Sequence, residues 1–246
     1  MKLKIISCRV FKPELDFLLN NLPAGENRPE IEFLDLKAHN QPDNLREKIQ
    51  NKINESVNYD AVVLIYGLCG NATAGIKASD IPLYIPKAHD CSQILLGSSK
   101  EHKKFFGETP SRAWTSRGYM AEEGDPFRTA DSSVEWTLEE LIREYGKENA
   151  EYVYDVLHAS DSESDPVLYF LNVPETENSE VLEKAHSLAL ERGKTLKIIP
   201  ATVSLIARLI SGRGGNEILY VPPGAEIQPS WDSSVLKVIN SKGVEE

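Results

Sequence analysis

Thiols are scarce in this chain of 246 residues, which holds three cysteines, Cys8, Cys69 and Cys91. A count so low and odd makes no disulfide framework and fits thiols kept reduced. Basic residues are outnumbered, 27 Lys and Arg against 38 Asp and Glu, so the net charge is −11. That balance argues against a nucleic-acid or anionic-membrane surface, because both need clustered cations. No apolar run approaches the length that spans a bilayer. The opening IISC has the look of a lipobox, yet only MKLK precedes it, too little for the charged and apolar regions of a signal peptide. Residues 1–8 therefore read as a strand, and a cytoplasmic location is expected. Also missing are the phosphate-binding G-K-[ST], the dinucleotide G-x-G-x-x-G, and the hydrolase patterns G-x-S-x-G and H-E-x-x-H.

The residues that are present read as α/β. Hydrophobic residues make up 41% of the chain, enough for one large domain or two small lobes. Apolar runs at 3–7, 31–36, 61–66 and 83–85 predict strands. Between them, Pro13 suits the first turn of a helix. Leu45, Ile49 and Ile53 mark one face of a second helix, capped by Asn40 or Asp43. Short helices are expected at 73–79 and 91–97. The alternation breaks at Phe105 and resumes with strands at 167–173, 196–199 and 218–221 and helices at 179–191 and 203–210. Strands alternating with helices imply a parallel sheet flanked by helices. Two similar βαβαβ lobes with a helical insertion, and one sheet of about six or seven strands, both fit. The corresponding division is 1–104, an insertion at 105–160, and a second α/β segment at 161–246. The Gly-rich string at 212–215 reads as a helix end.

The insertion opens with a Gly-, Pro- and Ser-rich stretch over 107–135. A loop of that length is functional or disordered, and Trp114, Tyr119 and Phe127 favour packing. Trp114, Thr115 and Arg117 suggest either a lid over a sheet edge or a packed surface loop. A helix is expected over 137–157, interrupted or kinked at Gly146, then a polar linker.

The positions of the cysteines carry the functional argument. Cys8 closes KLKIISC, Cys69 follows AVVLIYGL, and Cys91 follows PLYIP in PKAHDC, with His89 two residues before it. Each lies at or just past the carboxyl end of an apolar run. In open α/β sheets those ends share one edge, the edge where ligands bind. Cys8, Cys69, His89 and Cys91 are therefore expected to converge as a Cys3His metal site, with zinc the expected ion. Inert buried thiols are the competing reading, since cysteine behaves as a small hydrophobe. A metal-free enzyme with Cys69 or Cys91 as nucleophile and His89 as base is another. A non-enzymatic binding or accessory protein is the third.

Around that set, Glu14 opens the helix after Cys8, as an additional ligand or simply as an acid favoured by the helix dipole. Asp90 either orients a ligand or faces solvent. Arg9 and Lys87 bring positive charge that favours thiolates and anionic substrates, or else lie on the surface. Gly67, Gly70 and Gly75 surround Cys69; Gly70 and its neighbours allow a ligand close to backbone N–H groups. A helix N-terminus beside Cys69 is expected to lower its pKa. His39, His102, His158 and His186 sit in polar contexts and read as surface residues.

At these residues the chain resembles the family DUF1638 of archaea and anaerobic bacteria. The strings IISCRVFKPEL, YDAVVLIYGLCGNATAGIKA and PLYIPKAHDCSQILLGS carry the likeness, with ILYVPPG a weaker match. It is densest over residues 1–100. The resemblance places Cys8, Glu14, Cys69, His89 and Cys91 on the family's pattern but implies no activity. Some members resemble corrinoid methyltransferase systems in genomic setting. Zinc-thiolate methyltransferases there also pair an H-x-C with a later cysteine, on a different fold. The expectation is a metal site that activates a small thiol for methyl transfer.

Overall fold

The computed structural model describes residues 1–23, 25, 27–35, 42–107, 112–122, 126–127, 142, 166–230 and 234–240. The first strand, β1 (Leu3–Cys8), is buried along its whole length, as a central parallel strand covered on both faces must be. A short 3-10 turn (Arg9–Phe11) leads into α1 (Lys12–Asn20), with proline in its first turn. Next come β2 (Glu30–Leu34) and α2 (Pro42–Glu55), whose Leu45, Ile49 and Ile53 form one buried stripe. The strand β3 (Ala61–Ile65) is fully buried, and β4 (Leu83–Pro86) lies beside it. Two helices follow, α3 (Cys91–Leu96) and α4 (Ser99–Phe106).

Residues 107–135 are not loop throughout. They contain the strand β5 (Trp114–Ser116) and the short helix α5 (Arg117–Met120). The chain continues through β6 (Val167–Asn172), a 3-10 turn (Pro174–Thr176), α6 (Ser179–Glu191), β7 (Thr195–Pro200) and α7 (Ser204–Ile210). It then forms β8 (Ile218–Val221), β9 (Glu226–Pro229) and β10 (Leu236–Ile239). The helix expected over 137–157 falls, apart from residue 142, outside the described residues.

These strands make two separate sheets and a hairpin. The larger sheet has the order β2-β1-β3-β4-β8. Its first four strands are parallel and β8 runs antiparallel against β4. The smaller sheet, β5-β6-β7, is wholly parallel. On β6 the two-residue alternation is clear. Tyr169 and Leu171 join a core shared with the large sheet, while Leu168 and Phe170 pack with Ala185 and Ala189 of α6. The chain is thus α/β, with parallel strands flanked by helices. Gly212, at φ +65°, ends α7 in the left-handed turn expected of the glycine-rich string.

The helix expected at 73–79 does not form. Residues 69–75 are turns, and the strand-like stretch after them pairs with the β9 arm of the hairpin. The Gly75 N–H donates to the Ile227 carbonyl at 2.8 Å, and Ile227 N–H returns to Ile76 at 2.8 Å. Long-range pairing outweighs local helix propensity here.

The two parallel sheets meet at their carboxyl ends. Helix α5, after β5, packs on the turn after β1 so closely that a Cβ on Gly118 would lie 1.7 Å from the Val10 carbonyl oxygen. Thr176, after β6, bonds Glu14 of α1, and Thr202, after β7, donates its N–H to Leu95 of α3. Residues 114–122 therefore border the edge that carries Cys8. Among the described residues no helix is long and apolar enough to cross a membrane.

Candidate functional site

Three strands of the large sheet deliver the three cysteines to one place. Cys8 ends β1, Cys69 lies four residues past β3, and Cys91 opens α3. All are free thiols and all are buried, with relative exposures of 0%, 6% and 2%. The Cys91 thiol is hydrogen-bonded to both Cys8 and Cys69. Burial, then contact with Cys91, pushes the Cys8 thiol well above its ordinary pKa. For Cys69 the Cys91 contact comes first and burial second, with the same direction. The expected lowering of Cys69 is thus reversed, because a turn stands where a helix N-terminus was expected and the nearest groups are other thiols.

Local geometry explains the convergence. The Leu68 and Cys69 N–H groups donate to the Ala88 and His89 carbonyls at 2.8 and 2.9 Å. This prolongs the β3–β4 contact beyond the strands. Gly67 permits it, since a Cβ there would lie 2.8 Å from the Asp90 nitrogen and 2.9 Å from the Ala88 oxygen. Cys69, Gly70 and Asn71 all have positive φ, at 48°, 63° and 68°. For cysteine that conformation costs about 1–2 kcal/mol. Strain of this kind persists where the surroundings dictate it, and it clusters at functional sites. Cys69→Gly should therefore leave thermal stability within about 1 kcal/mol of wild type, relief of strain offsetting the lost side chain. Cys8→Gly, in a buried strand with no such strain to relieve, should cost more than about 1 kcal/mol. Urea unfolding of the two variants makes the comparison; equal losses would show that Cys69 is not strained.

The other expected residues divide. His89 is exposed, and its backbone carbonyl is tied to the Cys69 N–H beside the thiols. Asp90 caps α3, its Oδ1 accepting from Gln93 N–H at 3.1 Å and from the Ser92 hydroxyl at 2.6 Å. It thereby fixes Cys91 at the start of the helix. Arg9 is exposed and lies 3.9 Å from Glu122, a carboxylate whose field reaches Cys8. Gly70 is exposed in the Cys69 turn, and Lys87 lines a cleft beyond α4. Glu14 is no surface acid. It is 1% exposed, accepts from Thr176 Oγ1 at 3.3 Å, and leaves Oε2 without a hydrogen bond among the described residues. Burial raises its pKa to about 7.

Several neighbours escape a reading of the sequence. Tyr66, fully buried at the end of β3, has its phenol raised well above 10 by burial and by the three cysteines around it. Its place straight after the run AVVLI was the available signal. Gln93 is buried and acts as a tie: Oε1 accepts from His89 N–H at 3.0 Å, and Nε2 donates to the Lys87 carbonyl and the Ser99 hydroxyl. His102, read as a surface residue, stacks on Phe106 at 5.2 Å. Burial lowers its pKa, with Asp90 and His89 acting on it electrostatically.

Chemically, the cluster offers three soft sulfur donors with no water-exposed base among them. It is an arrangement of hydrogen-bonded thiols and not a coordination sphere: among the described residues no three His, Cys, Asp or Glu side chains are disposed to hold a metal ion. The donor chemistry nevertheless suits a thiophilic cation.

No curated protein and no solved structure matches the chain. A family model described as "Protein of unknown function (DUF1638)" matches residues 33–210. The match takes in Cys69, His89 and Cys91 and runs through the smaller sheet to the end of α7. It begins after Cys8 and Glu14 and ends before the string ILYVPPG, so it reaches well past the dense stretch 1–100 but takes in neither the first nor the last of the motif strings. Covering well over half its length, the match establishes that the chain belongs to the DUF1638 family.

Proposed function

We propose that this protein binds one thiophilic metal ion, zinc, through Cys8, Cys69 and Cys91, with the remaining position filled by His89 or by an incoming small thiol. The observation that carries the proposal is the Cys91 thiol in contact with both others, all three buried. A cation that replaces the thiol protons turns mutual repulsion between thiolates into shared attraction. Exposure of His89 favours an exchangeable fourth position over a closed site of four protein ligands. Cys8, Cys69 and Cys91 would hold the ion, which would supply a Lewis acid that lowers the pKa of a small thiol and so favours its nucleophilic form. Tyr66 and Glu122 stand near enough to the sulfur atoms to influence them. The methyl-transfer part of the proposal, with a corrinoid methyltransferase system as partner, takes its support from the genomic setting of the family.

The raised Cys69 thiol favours this reading over a metal-free nucleophile at that position. Such an enzyme needs thiolate near neutral pH, whereas contact with Cys91 and burial push the Cys69 thiol up.

Zinc titration of the anaerobically purified protein against a chromogenic chelator tests the proposal. One zinc per chain is expected. Affinity should fall steeply as pH drops, because each thiolate ligand regains a proton; log K against pH should rise with a slope above about 1 and up to about 3. Absence of stoichiometric binding, or a flat pH dependence, refutes it.

A further inference from the structure

Against α4 lies a cleft of about 510 Å³ lined by Lys87, Ser99, Lys100, Lys103, Asn216, Glu217 and Ser234. We infer that it is a binding site for a small polyanion carrying phosphate or carboxylate groups. The chain has a net charge of −11, and several lysines elsewhere find acids. Lys4, Lys12, Lys52, Lys77 and Lys104 all form ion pairs. Lys87, Lys100 and Lys103 form none among the described residues, yet they line one concave surface with a single carboxylate. Lys100 and Lys103 are three residues apart on α4 and so share a face.

The wall is built and not merely crowded. Gln93 Nε2 holds the Lys87 carbonyl at 3.0 Å and the Ser99 hydroxyl at 2.6 Å, and Lys87 N–H donates to the Glu217 carbonyl at 2.8 Å. Because Ser99 Oγ accepts from Gln93, its own hydrogen is available to an anion. The Glu217 carboxylate meets the Ser99 N–H at a long 3.4 Å. It occupies the place of an anionic ligand and lies at the start of a helix, where negative charge is favoured. Gln93 also bonds the loop that carries His89 and Cys91, so the cleft adjoins the thiol cluster. Anion binding there requires no metal and stands apart from the zinc proposal.

Calorimetric titration of the full chain with pyrophosphate and with citrate, at about 0.1 M salt to screen the open surface, tests the site. Saturable 1:1 binding of at least one probe is expected. The tighter of the two assigns the phosphate or the carboxylate class. The triple variant Lys87→Gln/Lys100→Gln/Lys103→Gln should weaken it about tenfold or more. Glu217→Gln should tighten it, by removing the competing charge while keeping an acceptor for Ser99. The control Lys48→Gln/Lys184→Gln, at exposed positions on α2 and α6, should bind as wild type does. No saturable binding, an unaffected triple variant, equal losses in the control, or weaker binding by Glu217→Gln would each overturn the site.

Discussion

Cys91→Ser should reduce zinc affinity by about a hundredfold or more while leaving the fold intact. Cys91 is the shared member of the cluster, bonded to Cys8 on one side and Cys69 on the other. Its removal takes away the thiol that contacts both of the others. A serine hydroxyl is a hard, weakly acidic ligand and does not replace a thiolate on zinc. The helix start survives, because the Asp90 cap acts through Gln93 N–H and not through the thiol. The stability change is therefore that of a buried hydroxyl, about 1–3 kcal/mol if it lacks a partner. Chelator competition reads the first effect and urea unfolding without metal reads the second. Should wild type and variant hold zinc equally, Cys91 is packing alone. Should the variant lose stability without any change in metal stoichiometry, the cluster is an inert thiol core.

The cysteine cluster was legible because its cause is local and repeated. Three apolar runs, KLKII, AVVLI and PLYI, each become parallel strands of one sheet, and residues just past the carboxyl ends of parallel strands lie on a shared edge. The glycines of YGLCGNATAG announce a turn at Cys69, but no feature of the string announces that turns run on to Gly75 in place of the helix expected at 73–79. That outcome depends on Ile227, some 150 residues away, supplying hydrogen bonds to Gly75 and Ile76. Likewise β8 reads as a parallel strand, since ILYV has the same composition either way; only its pairing with β4 sets the direction. The strand β5 is three residues long and lies in a polar context, too short to produce an alternation. His102 is misread for a related reason. Its sequence neighbours are charged, but at the start of the second turn of α4 its ring lies over Phe106.

Glu14 shows the same limit at a site of chemical interest. A glutamate in a first helical turn is ordinary, and its burial comes from Thr176, 162 residues away, and from the meeting of the two sheets. Its consequence is a large pH dependence. The folded pKa is about 7 against an ordinary 4.5. Between those values the folded protein binds the proton that the unfolded chain has released. Stability from this group is complete below pH 4.5 and is lost as pH rises through about 7. At 1.36 kcal/mol per unit the loss approaches about 3 kcal/mol.

Glu14→Gln removes the ionisation. Near pH 5 the variant should be no more stable than wild type, since its amide brings N–H donors to the place where Oε2 has no hydrogen bond. At pH 8 it should be more stable by about 2–3 kcal/mol, with the slope between pH 5 and 8 largely gone. Urea unfolding at the two pH values measures both. A slope unchanged by the substitution would place the titrating group elsewhere. The same variant separates two roles for this residue. A carboxylate that binds the metal makes zinc affinity fall with Glu14→Gln. A proton-exchanging group held between the sheets by Thr176, with Arg117 nearby, leaves zinc affinity unchanged and removes only the pH dependence. The second outcome is expected, because Glu14 belongs to the junction with the turn after β6, while the thiols lie over the ends of β1, β3 and β4.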